Sequence, residues 1–208
     1  MFSEDNALLK MRELFSDPPR LETDRLILRP LRMRDAVDLY AYSSDPEVSR
    51  YVLWNAHTSI RDSRKQLRAA IHQYHLGEPC SWGICDKTTG HLIGTIGFMW
   101  LSYDSLSAEI GYSLSRSYWN RGLMTEALQS MISFSFEQLH LNRLEAQHVP
   151  QNPASGRVMQ KCGMAREGLL RSRVRLKGVL TDTVLYSILL QDYRRNRTKN
   201  GGNHHDAL

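Results

Sequence analysis

A single glycine, Gly122, stands directly before a predicted amphipathic helix in the stretch RSYWNRGLMTEAL, residues 116–128. The start of a helix leaves backbone N–H groups without partners and carries a partial positive charge, so it suits an anion such as a pyrophosphate. Gly122 has no side chain to keep a ligand from the backbone, and Arg121 adds a cation beside it. We therefore predict an anion site on the backbone of Arg121, Gly122, Leu123, Met124 and Thr125. An equally simple alternative is that Gly122 only eases a tight turn.

Other nucleotide and metal patterns are absent from the sequence. No G-x-G-x-x-G follows a predicted strand, and the chain contains no G-x-x-x-x-G-K-[ST] loop. His72 and His75 are spaced three residues apart on a predicted helix, but no third ligand is evident. We predict no metal site.

The composition is that of one globular domain. The chain has 208 residues, of which 41% are hydrophobic and 24% are charged. It contains no apolar run of the roughly 18 residues that a membrane span needs, and its first residues lack the apolar block of a signal peptide. The three cysteines are an odd number at no metal-like spacing, so we predict no disulfide framework. We expect a cytoplasmic protein that does not enter a membrane.

Two basic segments stand out against a net charge of +5. Residues 194–208 are nearly devoid of apolar side chains and predict a disordered tail. A second segment puts a cation at every second position of a predicted strand, at Arg171, Arg173, Arg175 and Lys177. This pattern fits either a solvated strand face or a surface for an acidic partner such as a cofactor phosphate or RNA. Direct contact with nucleic acid stays open.

The predicted helices and strands that hold these residues form an α+β fold. The periodicity predicts an N-terminal helix, a strand, two or three helices, three successive strands, and then a helix, a strand, a helix and two strands. A meander followed by helical crossovers predicts a mixed, mostly antiparallel sheet with helices on its faces. We expect an N-terminal extension over residues 1–20, one domain over residues 21–193, and the basic tail.

Several stretches, in this order along the chain, resemble the GNAT superfamily of acetyl-CoA-dependent N-acetyltransferases. They are LETDRLILRPL, DAVDLYAYSSDPEVSRYV, GHLIGTIGF, AEIGYSL, YWNRGLMTEAL, RLEAQHVPQNPAS and KGVLTDTVLYSIL. Within the superfamily, the chain is most similar to the ribosomal-protein N-terminal acetyltransferases of the RimJ/RimL type. The resemblance implies the GNAT fold and acetyl-CoA as cosubstrate.

The resemblance also implies roles for particular residues. The family's pyrophosphate loop, Q/R-x-x-G-x-G/A, falls on residues 119–124, where Gly122 matches but Trp119 and Met124 depart from the pattern. The departure at Met124 puts the close approach of a ligand at that one position in doubt. The family further implies that pantetheine binds along a strand, at Tyr112, Ser113 and Leu114, and touches Asn152. Asn152 also fits the N-cap of a helix, so it does not require a ligand.

Acetyl transfer to an amine needs a base for the amine and a proton donor for the departing thiolate. Glu109, on the central strand, is our first candidate base, although it could be a solvent-facing strand residue. Glu145 and His148, on the neighbouring strand, are rivals. Ser155, three residues after Asn152, is the candidate acid, but a serine in a first helical turn is also common for capping.

The acceptor that we expect is the N-terminal α-amine of a protein or peptide, with a ribosomal protein as a possibility. The alternatives are an acetyltransferase for a small amine, such as a polyamine, an antibiotic or an amino acid, and a non-catalytic CoA-binding module. The sequence does not decide between a monomer and a homodimer.

Overall fold

The computed structural model describes residues 4–201. Within that range the chain forms seven α-helices and one eight-stranded sheet. The helices are α1 (Glu4–Ser16), α2 (Ala36–Ser43), α3 (Pro46–Ser49), α4 (Ile60–Leu76), α5 (Leu123–Glu137), α6 (Pro153–Lys161) and α7 (Leu190–Gly201). The strands are β1 (Leu21–Glu22), β2 (Leu26–Pro30), β3 (Ser81–Asp86), β4 (Leu92–Ser102), β5 (Ser107–Leu114), β6 (Arg143–His148), β7 (Ala165–Leu176) and β8 (Val179–Leu189).

The sheet has the spatial order β1-β2-β3-β4-β5-β6-β8-β7. Strands β5 and β6 pair in parallel, whereas the other neighbouring strands of this sheet are antiparallel. The helix α5 makes the crossover that a parallel connection requires. The prediction of a mixed, mostly antiparallel sheet flanked by helices is confirmed.

Two clusters of apolar side chains cover the two faces of the sheet. Along β3, Trp82 and Ile84 point into the main core with the buried side of α5, while Cys85 points into a second cluster with α2 and α4. This division follows from the alternation of side chains along a strand. Trp82 is fully buried, and its Nε1 donates a hydrogen bond to the carbonyl of Pro19, 2.8 Å away.

The parallel pairing between β5 and β6 is short. Only residues 107–109 of β5 pair with residues 143–145 of β6, although β5 stays paired with β4 as far as Leu114 and β6 stays paired with β8 as far as His148. The two strands therefore separate after Glu109 and leave a wedge-shaped gap in the sheet. We call this gap the β5–β6 wedge.

The hairpin that closes the sheet is less regular than its sequence pattern predicts. Lys177 and Gly178 both have positive φ, as a two-residue turn between twisted strands requires. However, the β7–β8 register shifts between Leu170 and Val174, and Ser172 between them also has positive φ. The cations at 171, 173, 175 and 177 are therefore not a simple period-two row on one strand face, because a bulge interrupts the alternation.

The prediction of disorder from residue 194 onward is wrong for residues 194–201, which belong to helix α7. Composition alone did not reveal the partners that this helix finds on α5. The ring of Tyr193 stacks on Phe136 at 5.1 Å, and its hydroxyl donates to Ser133 Oγ at 3.2 Å. Arg197 forms an ion pair with Glu137. The remainder of the predicted tail, residues 202–208, lies outside the described residues.

Candidate active site

The loop that precedes α5 has the backbone conformation that its glycine predicts. Gly122 occupies the N-cap position with φ +75°, a left-handed conformation that side chains rarely adopt. Space does not impose the glycine, because a Cβ atom there would meet only Arg25 Nη2, at 3.6 Å. The backbone geometry alone therefore explains why glycine stands at this position.

Trp119 ties this loop to the end of β5. Its Nε1 donates a hydrogen bond of 2.8 Å to the carbonyl of Leu114, the last residue of the strand. Arg121 lies over the ring of Tyr118, with its Cζ atom 5.3 Å from the ring centroid. The side chain of Met124 is 7% exposed and belongs to the main core cluster. The methionine that departs from the family's small residue is thus accommodated inside the protein.

A cleft of about 360 Å³ joins this loop to the β5–β6 wedge. Its lining includes Tyr112, Ser113 and Leu114 from β5, residues 122–125 from the loop and α5, and Asn152 and Ser155 from the start of α6. Tyr51 and Val52, in the segment after α3, also line it. The structure thus brings the predicted cofactor residues of β5, α5 and α6 to one cleft, with Arg121 beside it.

Tyr112 and Ser155 bridge the wedge from opposite sides. The Tyr112 hydroxyl lies 3.0 Å from Ser155 Oγ and donates a hydrogen bond of 3.1 Å to the Ser155 carbonyl. Burial raises the pKa of Tyr112 well above its usual range, so this phenol stays protonated. The family resemblance implies that Tyr112 binds pantetheine along the strand, but nothing in the sequence spacing indicates that its hydroxyl reaches α6.

Asn152 occupies the N-cap position of α6, as predicted, but its side chain makes no capping hydrogen bond. The interpretation of this residue as a fully engaged N-cap is therefore wrong. The backbone at Asn152 has φ −113° and ψ 64°, and the residue lines the cleft.

Glu109 is buried at the closed end of the wedge, in the last residue pair that joins β5 to β6. It is 9% exposed, so the alternative of a solvent-facing strand residue does not hold. Trp100 Nε1 donates to its Oε2 at 2.9 Å, and Gln147 Nε2 donates to its Oε1 at 2.8 Å. Thr183 in turn donates to Gln147 Oε1 at 2.7 Å, which orients the amide toward the carboxylate.

Comparison with known proteins identifies the family. The sequence model of the acetyltransferase (GNAT) domain matches residues 25–165, more than half of the chain. The chain belongs to the GNAT acetyltransferase family. An N-acetyltransferase of Bacillus licheniformis named p20, itself uncharacterised, is 36% identical over 173 residues, covering 83% of this chain and 97% of that protein.

Two further proteins are informative. The [ribosomal protein uS5]-alanine N-acetyltransferase of Escherichia coli (strain K12) is 30% identical over 189 residues, covering 86% of this chain and 94% of the relative. The crystal structure of the microcin C7 self-immunity acetyltransferase MccE, in complex with acetyl-CoA and AMP, matches with a TM-score of 0.74 at 22% identity. That match covers 80% of this chain and 93% of MccE, and it shows that the fold is shared. The chain is an N-acetyltransferase.

The two rivals of Glu109 also have partners of their own. Glu145 accepts a hydrogen bond of 2.6 Å from Arg143 Nε, within an ion-pair network. His148 lies on the sheet face opposite to Glu145, since the two are three residues apart on one strand. Its Nδ1 contacts the Val149 carbonyl at 2.8 Å, and its Nε2 faces Gly156 so closely that a Cβ atom there would lie 2.6 Å away.

Cys162 is not a reactive thiol of this acetyltransferase. Burial raises its pKa to about 12, so the thiolate form is scarce at neutral pH.

In the range 4–201, no helix is both long and apolar enough to cross a membrane.

Proposed function

We propose that this acetyltransferase takes an acetyl group from acetyl-CoA and transfers it directly to the N-terminal α-amine of a protein in the cytoplasm, with a ribosomal protein as the first candidate. The observation that carries the proposal is the β5–β6 wedge, which has a buried carboxylate at its closed end and a glycine-led helix start beside its open end. The name of the E. coli relative supports a ribosomal acceptor, and the complex of MccE supports acetyl-CoA.

The cleft offers a place for each part of acetyl-CoA. The backbone N–H groups of residues 121–125 would hold the pyrophosphate at the positive end of α5. The pantetheine arm would lie along residues 112–114, where β5 has no neighbouring strand on the wedge side. Such an arrangement adds a strand-like partner to a free sheet edge. Asn152, whose side chain caps nothing, would contact the arm from α6.

The transfer requires two proton movements. The uncharged amine attacks the thioester carbonyl carbon, and its nitrogen loses a proton through water to Glu109, which later releases it to solvent. The carbon–sulfur bond then breaks, and the departing thiolate takes a proton from the Ser155 hydroxyl, which solvent restores. Tyr112 supports this step, because a phenol that stays protonated and lies 3.0 Å from Ser155 Oγ can keep that hydroxyl in place.

An α-amine suits a buried carboxylate as base better than a lysine side chain does. Free α-amines have a pKa near 8, so roughly a tenth of them are uncharged at pH 7. Lysine, with a pKa near 10.4, would need a far stronger base. This difference favours the N-terminal acceptor over a lysine acceptor.

The test compares, as acceptors for acetyl-CoA, two peptides that differ at the N-terminus and by the presence of one lysine. One has a free N-terminus and no lysine, and the other is blocked at its N-terminus and carries a lysine. We expect turnover with the free N-terminus, at a rate that rises between about pH 7 and 8 as the amine deprotonates. Better turnover with the blocked peptide would make a lysine side chain the acceptor instead of a protein N-terminus. Better turnover with a polyamine would make the acceptor a small amine. Absence of acetyl-CoA binding would overturn the proposal as a whole.

A further inference from the structure

A cluster of polar contacts joins the segment before β2 to the first turn of α5. Glu126, in that turn, accepts hydrogen bonds from Thr23 Oγ1 at 2.5 Å and from the backbone N–H of Arg25 at 2.8 Å. The guanidinium of Arg25 adds a two-point contact, with Nε and Nη2 each 2.7 Å from Glu126 Oε2. These contacts hold the start of α5 against a distant part of the chain. We call them the Glu126 clamp.

The same guanidinium also reaches the loop in front of the helix. Arg25 Nη1 donates a hydrogen bond of 3.0 Å to the carbonyl of Arg121, the residue before Gly122. One rigid, planar group thus links the carboxylate within the helix to a backbone carbonyl outside it. Because Gly122 is the most conformationally permissive residue of the loop, a fixed carbonyl on one side and a fixed helix on the other restrict its backbone.

The charge of Glu126 gives the clamp a second consequence. An acidic side chain in a first helical turn stabilises the helix, but it also repels any anion that binds the same helix start. Burial would raise the pKa of Glu126, but the hydrogen bonds from Thr23 and Arg25 outweigh burial and lower the pKa. Glu126 is therefore ionised at neutral pH, and the cation that offsets it is Arg25.

We propose that Arg25 is a positioning residue for the pyrophosphate of acetyl-CoA. This proposal rests on the proposed function. It adds a role for the segment TDR, residues 23–25. Neither Arg25 nor Glu126 is part of the cleft lining, so Arg25 acts from behind the loop. It fixes the loop backbone whose N–H groups face the phosphates, and it balances the negative charge of Glu126.

The proposal predicts a selective defect in Arg25→Gln. This variant loses the contact to the Arg121 carbonyl and leaves Glu126 without its cation, so CoA should bind at least tenfold more weakly by calorimetry. Turnover of S-acetylpantetheine, which lacks the pyrophosphate, should change less than twofold. Adding Glu126→Gln to Arg25→Gln should restore part of the CoA affinity, because the unbalanced charge is removed.

Two further variants calibrate this measurement. Arg20→Gln removes a matched surface arginine, 2.8 Å from Glu22, and should leave both ligands unaffected. Gly122→Glu, which places a strained anionic side chain in the loop, defines complete loss of CoA binding. Unchanged CoA affinity in Arg25→Gln, or an equal loss with acetyl-CoA and S-acetylpantetheine, would overturn the role of Arg25. If the wild-type protein binds no CoA, the proposed function fails instead.

Discussion

At the scale of single residues, the candidate base is held more firmly than its sequence context indicates. Both oxygens of Glu109 accept a hydrogen bond, one from Trp100 and one from Gln147, and Thr183 fixes the amide of Gln147. A carboxylate has about four lone-pair positions, so two remain for water or for an amine. The surrounding residues therefore orient Glu109 and leave part of its hydrogen-bonding capacity unused.

Ser155 provides the prediction at this scale. We expect Ser155→Ala to lower kcat more than it raises the apparent KM for acetyl-CoA, since a proton donor acts mainly in the transition state. Steady-state kinetics with acetyl-CoA varied at saturating acceptor would measure both constants. Ser105→Ala, at an exposed serine in the turn between β4 and β5, is the matched control. An effect confined to KM would reduce Ser155 to a cofactor contact.

At the scale of elements, the helices differ in the side-chain hydrogen bonds that are made at their N-terminal ends. Asp62, in the first turn of α4, accepts hydrogen bonds from the backbone N–H groups of Thr58 at 2.9 Å and Ser59 at 3.0 Å. Asn152, at the corresponding end of α6, makes no capping bond and lines the cleft instead. A side chain of the first turn therefore holds the start of α4, whereas the N-cap side chain of α6 makes no such contact.

This difference predicts opposite outcomes for two alanine substitutions. Asn152→Ala should leave the melting temperature unchanged and weaken acetyl-CoA binding, because its side chain caps nothing. Asp62→Ala should lower the melting temperature, because it removes the contacts that hold the helix start, and leave acetyl-CoA binding intact. Thermal unfolding would measure the melting temperature of each variant, and calorimetry would measure its affinity for acetyl-CoA. A destabilised Asn152→Ala with normal affinity would return Asn152 to a structural role.

At the scale of the whole molecule, one ionic network ties together the three strands beyond the wedge. Arg143 on β6 pairs at two points with Glu167 on β7, through contacts of 2.7 and 2.6 Å, and Ser187 on β8 donates to the same carboxylate at 2.6 Å. The hydrogen bonds from Arg143 and Ser187 lower the pKa of Glu167 to about 2. The network therefore makes the stability of this half of the sheet depend on pH.

The sign of this dependence follows from the direction of the shift. A carboxylate whose pKa is lower in the folded protein stabilises it fully above its unfolded pKa, near 4.3, and loses this contribution as the pH falls toward 2. Glu167→Gln should therefore be less stable than the wild type at pH 7, and the difference should shrink between about pH 4.5 and 2. Urea unfolding at pH 7, 4 and 2 measures this, with exposed Glu13→Gln as the control. A difference that stays constant with pH would contradict the ionic account.

The order of the elements and the loop that precedes α5 follow from the amino-acid sequence alone. Hydrophobic periodicity and turn residues are local signals, so they reveal helices, strands and the need for a glycine at residue 122. The order of the motifs in the sequence also indicates the acetyltransferase family. The elements and the loop depend on neighbours a few residues apart, whereas the family resemblance depends on the order of motifs along the chain.

Contacts between side chains that are far apart along the chain follow from the packed fold and not from local sequence patterns. Tyr112 reaches Ser155 across 43 positions, and Arg25 reaches Glu126 across 101, distances along the chain over which periodicity carries no information. The same limit explains the error in the tail, where basic composition predicted disorder but Tyr193 and Arg197 find their partners on α5. Burial, pairing and charge balance are properties of the packed chain, because each depends on atoms that folding alone brings together.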